Sequence, residues 1–303
     1  MSPPANLAAG CPDMEFFVTI IILTCTNALL AAGIVILYKA GRVVNFAHGE
    51  LAIVGGYVFY SVGLMGTSGE TSLWMAIAGT VVFSVIMGVT IYLAMMRRLV
   101  GEPFYVMILV TVGIAIVLKA IILVVWSAQR VTIDVGVAPA VRMSGGATMS
   151  YMDLSSIALT ILFFLGLYLF FRFTRLGVQF RGTAENALLA SQRGVDVNFV
   201  LSLAWVIAVL AASLSGVLYG GRAFLSTESV AIGLAGLTAA LVGGLDSLRG
   251  AVVGAFVVAA AQYLTVRLVD PVLSEAVPFL LLLAVMTIRP WGLFGTREEL
   301  DRV

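Results

Sequence analysis

The sequence predicts an all-α fold, a polytopic transmembrane helix bundle with about eight or nine spans. Of its 303 residues, 61% are hydrophobic and only 11% are charged, whereas soluble domains normally carry roughly a quarter charged residues. Apolar runs recur from Phe16 to Ile288, and no polar block between them is long enough to fold separately. We therefore expect one membrane domain over 16–296, an external tail over 1–15 and a cytoplasmic tail over 297–303.

The spans follow from the length of the apolar runs, since a helix needs about 20 apolar residues to cross a bilayer core. The runs at 51–65 and 230–245 are short, so we expect one or both to be tilted, broken or re-entrant. A membrane tolerates such segments only where protein covers the freed backbone groups. The candidate spans are 16–38, 51–65, 73–96, 104–126, 154–171, 199–220, 230–245, 250–266 and 272–288.

The distribution of Lys and Arg predicts the orientation, because these residues concentrate in cytoplasmic loops. With nine crossings, the C-terminus shares one side with the loops 39–50, 97–103, 172–198 and 246–249. That side is expected to be cytoplasmic, and the N-terminus external. Its basic residues are Lys39, Arg42, Arg97, Arg98, Arg172, Arg175, Arg181, Arg193, Arg249, Arg289, Arg297 and Arg302; the other side has Arg130, Arg142, Arg222 and Arg267.

Several classes of protein are excluded by what the chain lacks. A net charge of +1 provides no basic surface for nucleic acid. Cys11 lies in the N-terminal tail and Cys25 in an apolar run, and His48 is the only histidine, so neither a disulfide framework nor a metal site is expected. A phosphate-binding P-loop ends in Gly-Lys, but neither Lys39 nor Lys119 follows a glycine. If ATP drives this protein, another polypeptide must bind it.

The stretch 173–200 predicts a short surface helix of about 10 residues. Thr183 is a suitable N-cap, Glu185 lies in the first turn, and Gly194 is placed to close the helix in the left-handed conformation. Leu188 contributes to a small apolar face that something must cover. Two interpretations stay open: a connecting helix packed only on its own bundle, or a lever held by a motor subunit.

A second polar stretch, 41–57, places Asn45, His48 and Glu50 between two apolar segments. A polar group without a partner is costly in a membrane. Either Asn45 caps the short second span with His48 at the surface, or these side chains line a polar path. Lys119 lies within a span and is close enough to its end to extend towards the interface.

The carboxylates favour a driven subunit over an independent carrier. Proton-coupled carriers usually hold carboxylates within their spans, yet every Asp and Glu here falls in a loop or at a span edge. An autonomous channel or secondary transporter remains the alternative. An intramembrane enzyme is the weakest hypothesis, since no span has a paired acid, a histidine cluster, or a Ser or Cys beside a base.

Four segments together resemble a known family, the permease subunits of bacterial ABC importers for branched-chain amino acids, and specifically the shorter of its two paralogous permeases. The likeness covers about residues 16–296. The matching segments are NFAHGE at 45–50, RGTAENALLASQRGVDV at 181–197, LVGGLDSLRGAVVGA at 241–255 and RPWGLFG at 289–295.

The resemblance implies the partners and the location. Such a subunit lies in the bacterial inner membrane and forms half of a translocation pathway. Its partners are a second permease, which we expect to be a paralogue, two cytoplasmic ATPases and an external solute-binding protein. We therefore expect the chain itself to hold no cofactor, no metal and no catalytic residue, and ATP and Mg²⁺ to bind to the ATPases.

The resemblance also implies two sets of site residues. The helix at 183–194 becomes the coupling helix, with ATPase contacts at Arg181, Thr183, Glu185, Asn186, Leu188, Ala190 and Gly194. The substrate pathway is expected at Asn45, Phe46, His48 and Glu50. The chain departs from the family pattern at Asp246, where a small residue is expected, and at Gln262, where relatives often carry an acid. The solute is therefore predicted only as a branched-chain amino acid or a related urea, amide or carboxylate.

Overall fold

The computed structural model describes residues 12–64, 73–99, 102–127, 129–133, 141–142 and 148–296. Most of the expected tail 1–15 and all of 297–303 lie outside these residues. The helices are α1 (Pro12–Gly41), α2 (His48–Leu64), α3 (Leu73–Ala94), α4 (Phe104–Trp126), α5 (Tyr151–Phe173), α6 (Arg175–Glu185), α7 (Ala187–Gln192), α8 (Val197–Gly220), α9 (Ile232–Gly243), α10 (Leu248–Leu268) and α11 (Val277–Ile288).

Short elements complete the described parts of the chain. One 3-10 turn follows α3, and two others precede α9 and α11: Met96–Leu99, Ser229–Ala231 and Val272–Glu275. Two strands of two residues each, β1 (Val141–Arg142) and β2 (Thr148–Met149), form an antiparallel ribbon between α4 and α5. The ribbon is a minor addition to a helical bundle, so the predicted fold class is confirmed.

Among the described residues, six helices are long and apolar enough to cross a membrane, namely α1, α3, α4, α5, α8 and α10. The predicted short spans at 51–65 and 230–245 correspond to α2, with 17 residues, and α9, with 12 residues. The span expected at 272–288 is also shorter than predicted, because α11 has only 12 residues. Pro278 lies in its first turn, where a missing N–H is tolerated, so a new helix begins there.

The core forms around α1 and α8, which pack against each other and against most other helices. Their contacts depend on small residues. A Cβ atom on Gly216 of α8 would overlap the Ala52 carbonyl of α2, and one on Gly254 of α10 would overlap the Ala239 carbonyl of α9. Glycine at these two positions therefore lets the helix backbones come into close contact. By contrast, α4 and α5 expose long apolar faces, as expected for helices that face lipid or a partner.

One end of the bundle collects most of the basic residues. The end of α1, the segment around α6 and α7 and the start of α8 line one cavity there, and the chain after α11 bonds to the end of α9 through Leu293 N and Val242 O at 2.8 Å. We call this the basic end. Its described basic residues are Lys39, Arg42, Arg97, Arg98, Arg172, Arg175, Arg181, Arg193, Arg249 and Arg289.

Candidate translocation and coupling sites

A cavity of about 650 Å³ opens at the end opposite the basic end, and we call it the vestibule. Its walls come from α1, α8, α10, the segment 222–231 and the N-terminal ends of α9 and α11. Both apolar and polar side chains line these walls. The polar lining residues are Thr19, Thr26, Asn27, Arg130, Tyr219, Arg222, Ser226, Glu228, Ser229, Gln262 and Glu275.

Two amide side chains face each other inside the vestibule. Asn27 of α1 donates from Nδ2 to Oε1 of Gln262 in α10 at 3.4 Å. Asn27 is buried and Gln262 is half-buried. An amide both donates and accepts hydrogen bonds, so the pair can exchange its weak mutual bond for bonds to a polar solute.

The vestibule rim carries two ion pairs. Arg222 lies 3.1 Å from Asp153 of α5, and Arg130 lies 3.6 Å from Glu228. Asp153 is the partly enclosed partner, and Ser150 fixes it in a capping box at the start of α5. Exposed pairs contribute little to stability. Their effect is to place charges of both signs around one opening.

The start of α2 lies inside the bundle. Phe46 N donates to Thr111 Oγ1 at 3.3 Å, and Thr111 is seven residues into α4, about 10 Å from its end. A Cβ atom on Gly33 would lie 2.5 Å from Nε2 of His48. Gly33 is itself about 12 Å from the end of α1. The chain after α1 therefore returns into the bundle before α2 begins.

The N-terminal ends of α2 and α9 meet at two glycines, and we call this contact the junction. A Cβ atom on Gly233 of α9 would lie 2.5 Å from Cα of Gly49. Ile232, the neighbour of Gly233, lines the vestibule, so the junction lies directly beneath that cavity. With 12 residues, α9 spans only about 18 Å. The N-terminal dipoles of α2 and of the much shorter α9 thus point at one interior region.

Polar atoms at the junction lack ordinary partners. Asn45 accepts from Ala47 N at 3.0 Å through Oδ1, but its Nδ2 is unpaired. His48 is 1% exposed and neither ring nitrogen has a hydrogen bond of ordinary geometry, although the Leu30 carbonyl lies close. The interpretation of His48 as a surface residue is wrong. Through its bond to Ala47 N, Asn45 makes a turn just before α2.

Glu50 is the third polar side chain at the start of α2. It is only 8% exposed, and its Oε2 atom is without a hydrogen bond. Lys119 of α4 is close enough to interact electrostatically with the carboxylate. Phe46, by contrast, is 40% exposed. The structure therefore brings Asn45, His48 and Glu50 together, but none of them lines the vestibule.

The predicted coupling helix is in fact two helices. Thr174 caps α6 by accepting from Gly177 N at 2.9 Å, and Asn186 caps α7 by accepting from Leu189 N at 3.0 Å. Thr183, expected as the N-cap, is instead buried within α6. Glu185 ends α6 and is not in the first turn of the next helix. Asn186 interrupts the helix because its side chain bonds to the following backbone.

The two helices have different surroundings. Phe180 anchors α6 against Phe171 of α5, with ring centroids 5.0 Å apart and planes at 70°. In α7, Ala190 is buried, whereas Leu188 is 69% exposed and Leu189 is 57% exposed. The prediction that Gly194 ends this segment in the left-handed conformation is confirmed by its φ of 82°.

Comparison with known proteins identifies the family. A family model described as the permease component of branched-chain amino acid transport systems matches residues 16–286. The chain belongs to this family. The permease is therefore a multi-pass membrane protein, and the prediction of an ABC-importer permease subunit, made from four motifs, is confirmed.

Curated relatives cover nearly the whole permease. The high-affinity branched-chain amino acid permease protein BraD of Pseudomonas aeruginosa is 27% identical over 92% of this chain and 94% of its own length. LivH of Escherichia coli K12 is 28% identical, with 93% and 95% covered. A probable LivH of Methanocaldococcus jannaschii is also 28% identical, with 91% and 90% covered.

A solved structure shares the fold. PsaBC from Streptococcus pneumoniae, in complex with a Fab, superposes with a TM-score of 0.53 at 14% identity, covering 91% of the permease and 92% of that chain. The match includes most of the bundle.

Sequence reasoning missed three features of the permease. Asn27 is a lone amide in an apolar run, and such a residue in a span is itself a functional signal. Gln262 stands out in the sequence only as a departure from the family pattern. Leu189 is exposed, as Leu188 is. A helix that starts at Thr183, as predicted, assigns Leu189 to the wrong face. Arg181 lies on α6 beside Arg249 of α10, away from α7.

Proposed function

We propose that this permease forms half of an import pathway for a branched-chain amino acid or a related small polar solute. Its partners are a second permease, a paralogue of this chain, two ATPases on the basic end and a solute-binding protein at the vestibule. The basic end is cytoplasmic, together with the C-terminus, in a bacterial inner membrane. ATP and Mg²⁺ bind to the ATPases, and the permease itself performs no chemical reaction.

The exposed leucine pair on α7 is the observation that carries this proposal. Leu188 and Leu189 lie side by side on a six-residue helix that is too short to be stable alone. The anchored α6 and the cap at Asn186 hold it in place. An apolar patch on an otherwise polar segment fits the groove of a partner protein, and the rigid support allows a pull on α7 to reach α5 and α8.

The vestibule suits a small zwitterion. Asn27, Gln262 and the serines of 226–229 offer neutral hydrogen bonds, while Glu228 and the arginines at the rim offer both charges. Leu23, Leu234 and Phe279 supply apolar wall area for a side chain. A volume of about 650 Å³ exceeds that of one amino acid, as expected of an entry chamber and not of a tight binding site.

The junction acts as the inner gate. In this structure Gly49 and Gly233 touch, which closes the route below the vestibule. Separation of α2 from α9 opens a polar passage past Asn45, His48 and Glu50, whose unpaired atoms then bind solute or water. Movement of α7 with the ATPases drives this separation. The route is then closed at one end of the bundle in one state and at the other end in the other state.

Introducing charge at the leucine pair tests the proposal. We expect Leu188→Asp with Leu189→Asp to abolish solute-stimulated ATP hydrolysis in the reconstituted complex, because a desolvated carboxylate opposes apolar docking. Arg98→Asp, which adds negative charge at another exposed site of the basic end, is the matched control. Solute-stimulated ATP hydrolysis at the wild-type rate in the double variant would show that α7 does not dock on the ATPases.

Liposomes containing only this chain test the alternative. An autonomous channel or secondary transporter needs no partner, so it would pass labelled leucine without ATPases. We expect no flux above that of empty liposomes until the second permease, the ATPases and ATP are added.

A further inference from the structure

A groove of about 530 Å³ runs along the outside of the bundle between α5 and α10, and it is separate from the vestibule, the junction and α7. Its floor and walls are apolar, formed by Phe164, Leu167, Phe171, Leu248 and Val252. Phe164 lies nine residues before the end of α5, so the groove extends about 13 Å from the basic end into the membrane. This depth is close to half of a hydrocarbon core of about 30 Å.

Three arginines surround the mouth of this groove at the basic end. Arg172 comes from the last turn of α5, Arg181 from α6 and Arg249 from the first turn of α10. None of the described residues that line the groove is acidic. In the described part of the chain, neither ion pair involves these arginines. Three positive charges thus converge over an apolar channel without a carboxylate to balance them.

Aromatic contacts hold Arg172 towards the groove. Its Nη1 atom donates to Tyr168 Oη at 2.7 Å, and its guanidinium lies 5.7 Å from the ring centroids of Tyr168 and Phe173. Tyr168 also lines the groove. These contacts fix the direction of the side chain but leave its charge uncompensated, so the guanidinium retains donors for a further ligand.

We propose that this groove binds an anionic phospholipid, with the phosphate between Arg172, Arg181 and Arg249 and an acyl chain along Phe164, Leu167 and Val252. The charge and the depth together select this occupant. A soluble anion would not need an apolar channel of one leaflet's depth, and an apolar protein helix would leave three arginines unpaired. Basic pockets between membrane helices bind such headgroups through the same combination. The inference depends on the membrane position of the bundle and not on the proposed solute or gate.

Native mass spectrometry of the purified permease complex, with its partner subunits present, tests this site. We expect phosphatidylglycerol to bind at least about tenfold more tightly than phosphatidylcholine with the same acyl chains. Arg172→Gln with Arg249→Gln should reduce this preference to within about twofold. Arg98→Gln with Arg175→Gln removes the same charge from the same end outside the groove, and it should keep the preference.

Two results would overturn the site. The first is a wild-type complex that shows no preference between the two lipids, or one whose preference the control variant also loses. The second is equal competition by soluble glycerol phosphate, which would identify a free anion as the ligand. Loss of solute transport through α7 variants would not affect either measurement, so the lipid site and the proposed import function fail separately.

A photo-crosslinker at Val252 provides a test that leaves the arginines intact. Val252 is exposed on the groove wall. We expect the activated side chain to capture phospholipid from membranes containing phosphatidylglycerol. Capture of the second permease or of an ATPase instead would show that a protein covers this surface and would refute the lipid site.

Discussion

At the centre of the bundle, Gly216 lies so close to the Ala52 carbonyl that a Cβ atom would overlap it, whereas no atom lies within 4 Å of a Cβ built on Gly194 behind α7. The first glycine is required by space. The second is required by its backbone conformation, a φ of 82°. The interior therefore depends on helix separations that side chains would increase, and the α6–α7 segment depends on a turn that side chains would strain.

Substitution at Gly216 should give the largest effect. Gly216→Val places atoms where the α2 backbone lies, and backbone cannot move aside as a flexible side chain can, so we expect a loss of about 3 kcal/mol of stability, the upper end of the usual cost of overpacking. This loss of stability is measured by heating the detergent-purified permease and monitoring the folded fraction by size-exclusion chromatography. Gly113→Val, in the apolar α4 where no atom lies within 4 Å, is the control. A melting temperature for Gly216→Val close to the control would contradict the close contact.

The junction gives the next largest effect, on transport and not on folding. His48→Leu removes a buried imidazole whose nitrogens lack ordinary hydrogen bonds, so folding should be nearly unchanged. If the imidazole binds the passing solute, uptake should fall about tenfold, roughly the contribution of one such hydrogen bond.

Uptake by proteoliposomes containing the complete importer is the measurement for this variant. His48→Asn, which keeps a donor and an acceptor, should recover part of the rate. Full activity in His48→Leu would show that the buried polar group only packs the closed junction.

Substitutions at Gly194 test whether this position requires glycine for its backbone conformation or for lack of space. Gly194→Val forces a β-branched residue into the left-handed region at a cost of about 1–2 kcal/mol. With six residues, α7 is too short to remain ordered against this cost. We expect solute-stimulated ATP hydrolysis to fall about fivefold, with near-normal membrane insertion.

Asparagine distinguishes the two explanations at this position, since it tolerates the left-handed conformation. Gly194→Asn should keep at least about half of the stimulation because the surrounding space is open. Equal losses in the two variants would mean that the turn conformation is not what couples α7 to the bundle.

The sequence predicted features that depend on local chemistry. The left-handed turn at Gly194 and the short second and seventh spans follow from residue type and from the length of the apolar runs. The return of 43–47 into the bundle did not, because it depends on distant contacts with Gly33 and Thr111. Similarly, Thr183 is a good N-cap by type, but Asn186 forms the cap, and burial of Thr183 in α6 removes it from competition.

The vestibule amides give the smallest and most specific effect. Gln262→Ala removes one partner of Asn27 and one hydrogen-bonding group from the cavity wall. Because a single neutral hydrogen bond contributes about 0.5–1.5 kcal/mol, we expect KM for solute uptake to rise about threefold to tenfold. Thr265→Val is the control, since Thr265 bonds to its own helix at Ala261 and does not line the cavity. An unchanged KM in Gln262→Ala would show that the amide pair in the vestibule does not bind the solute.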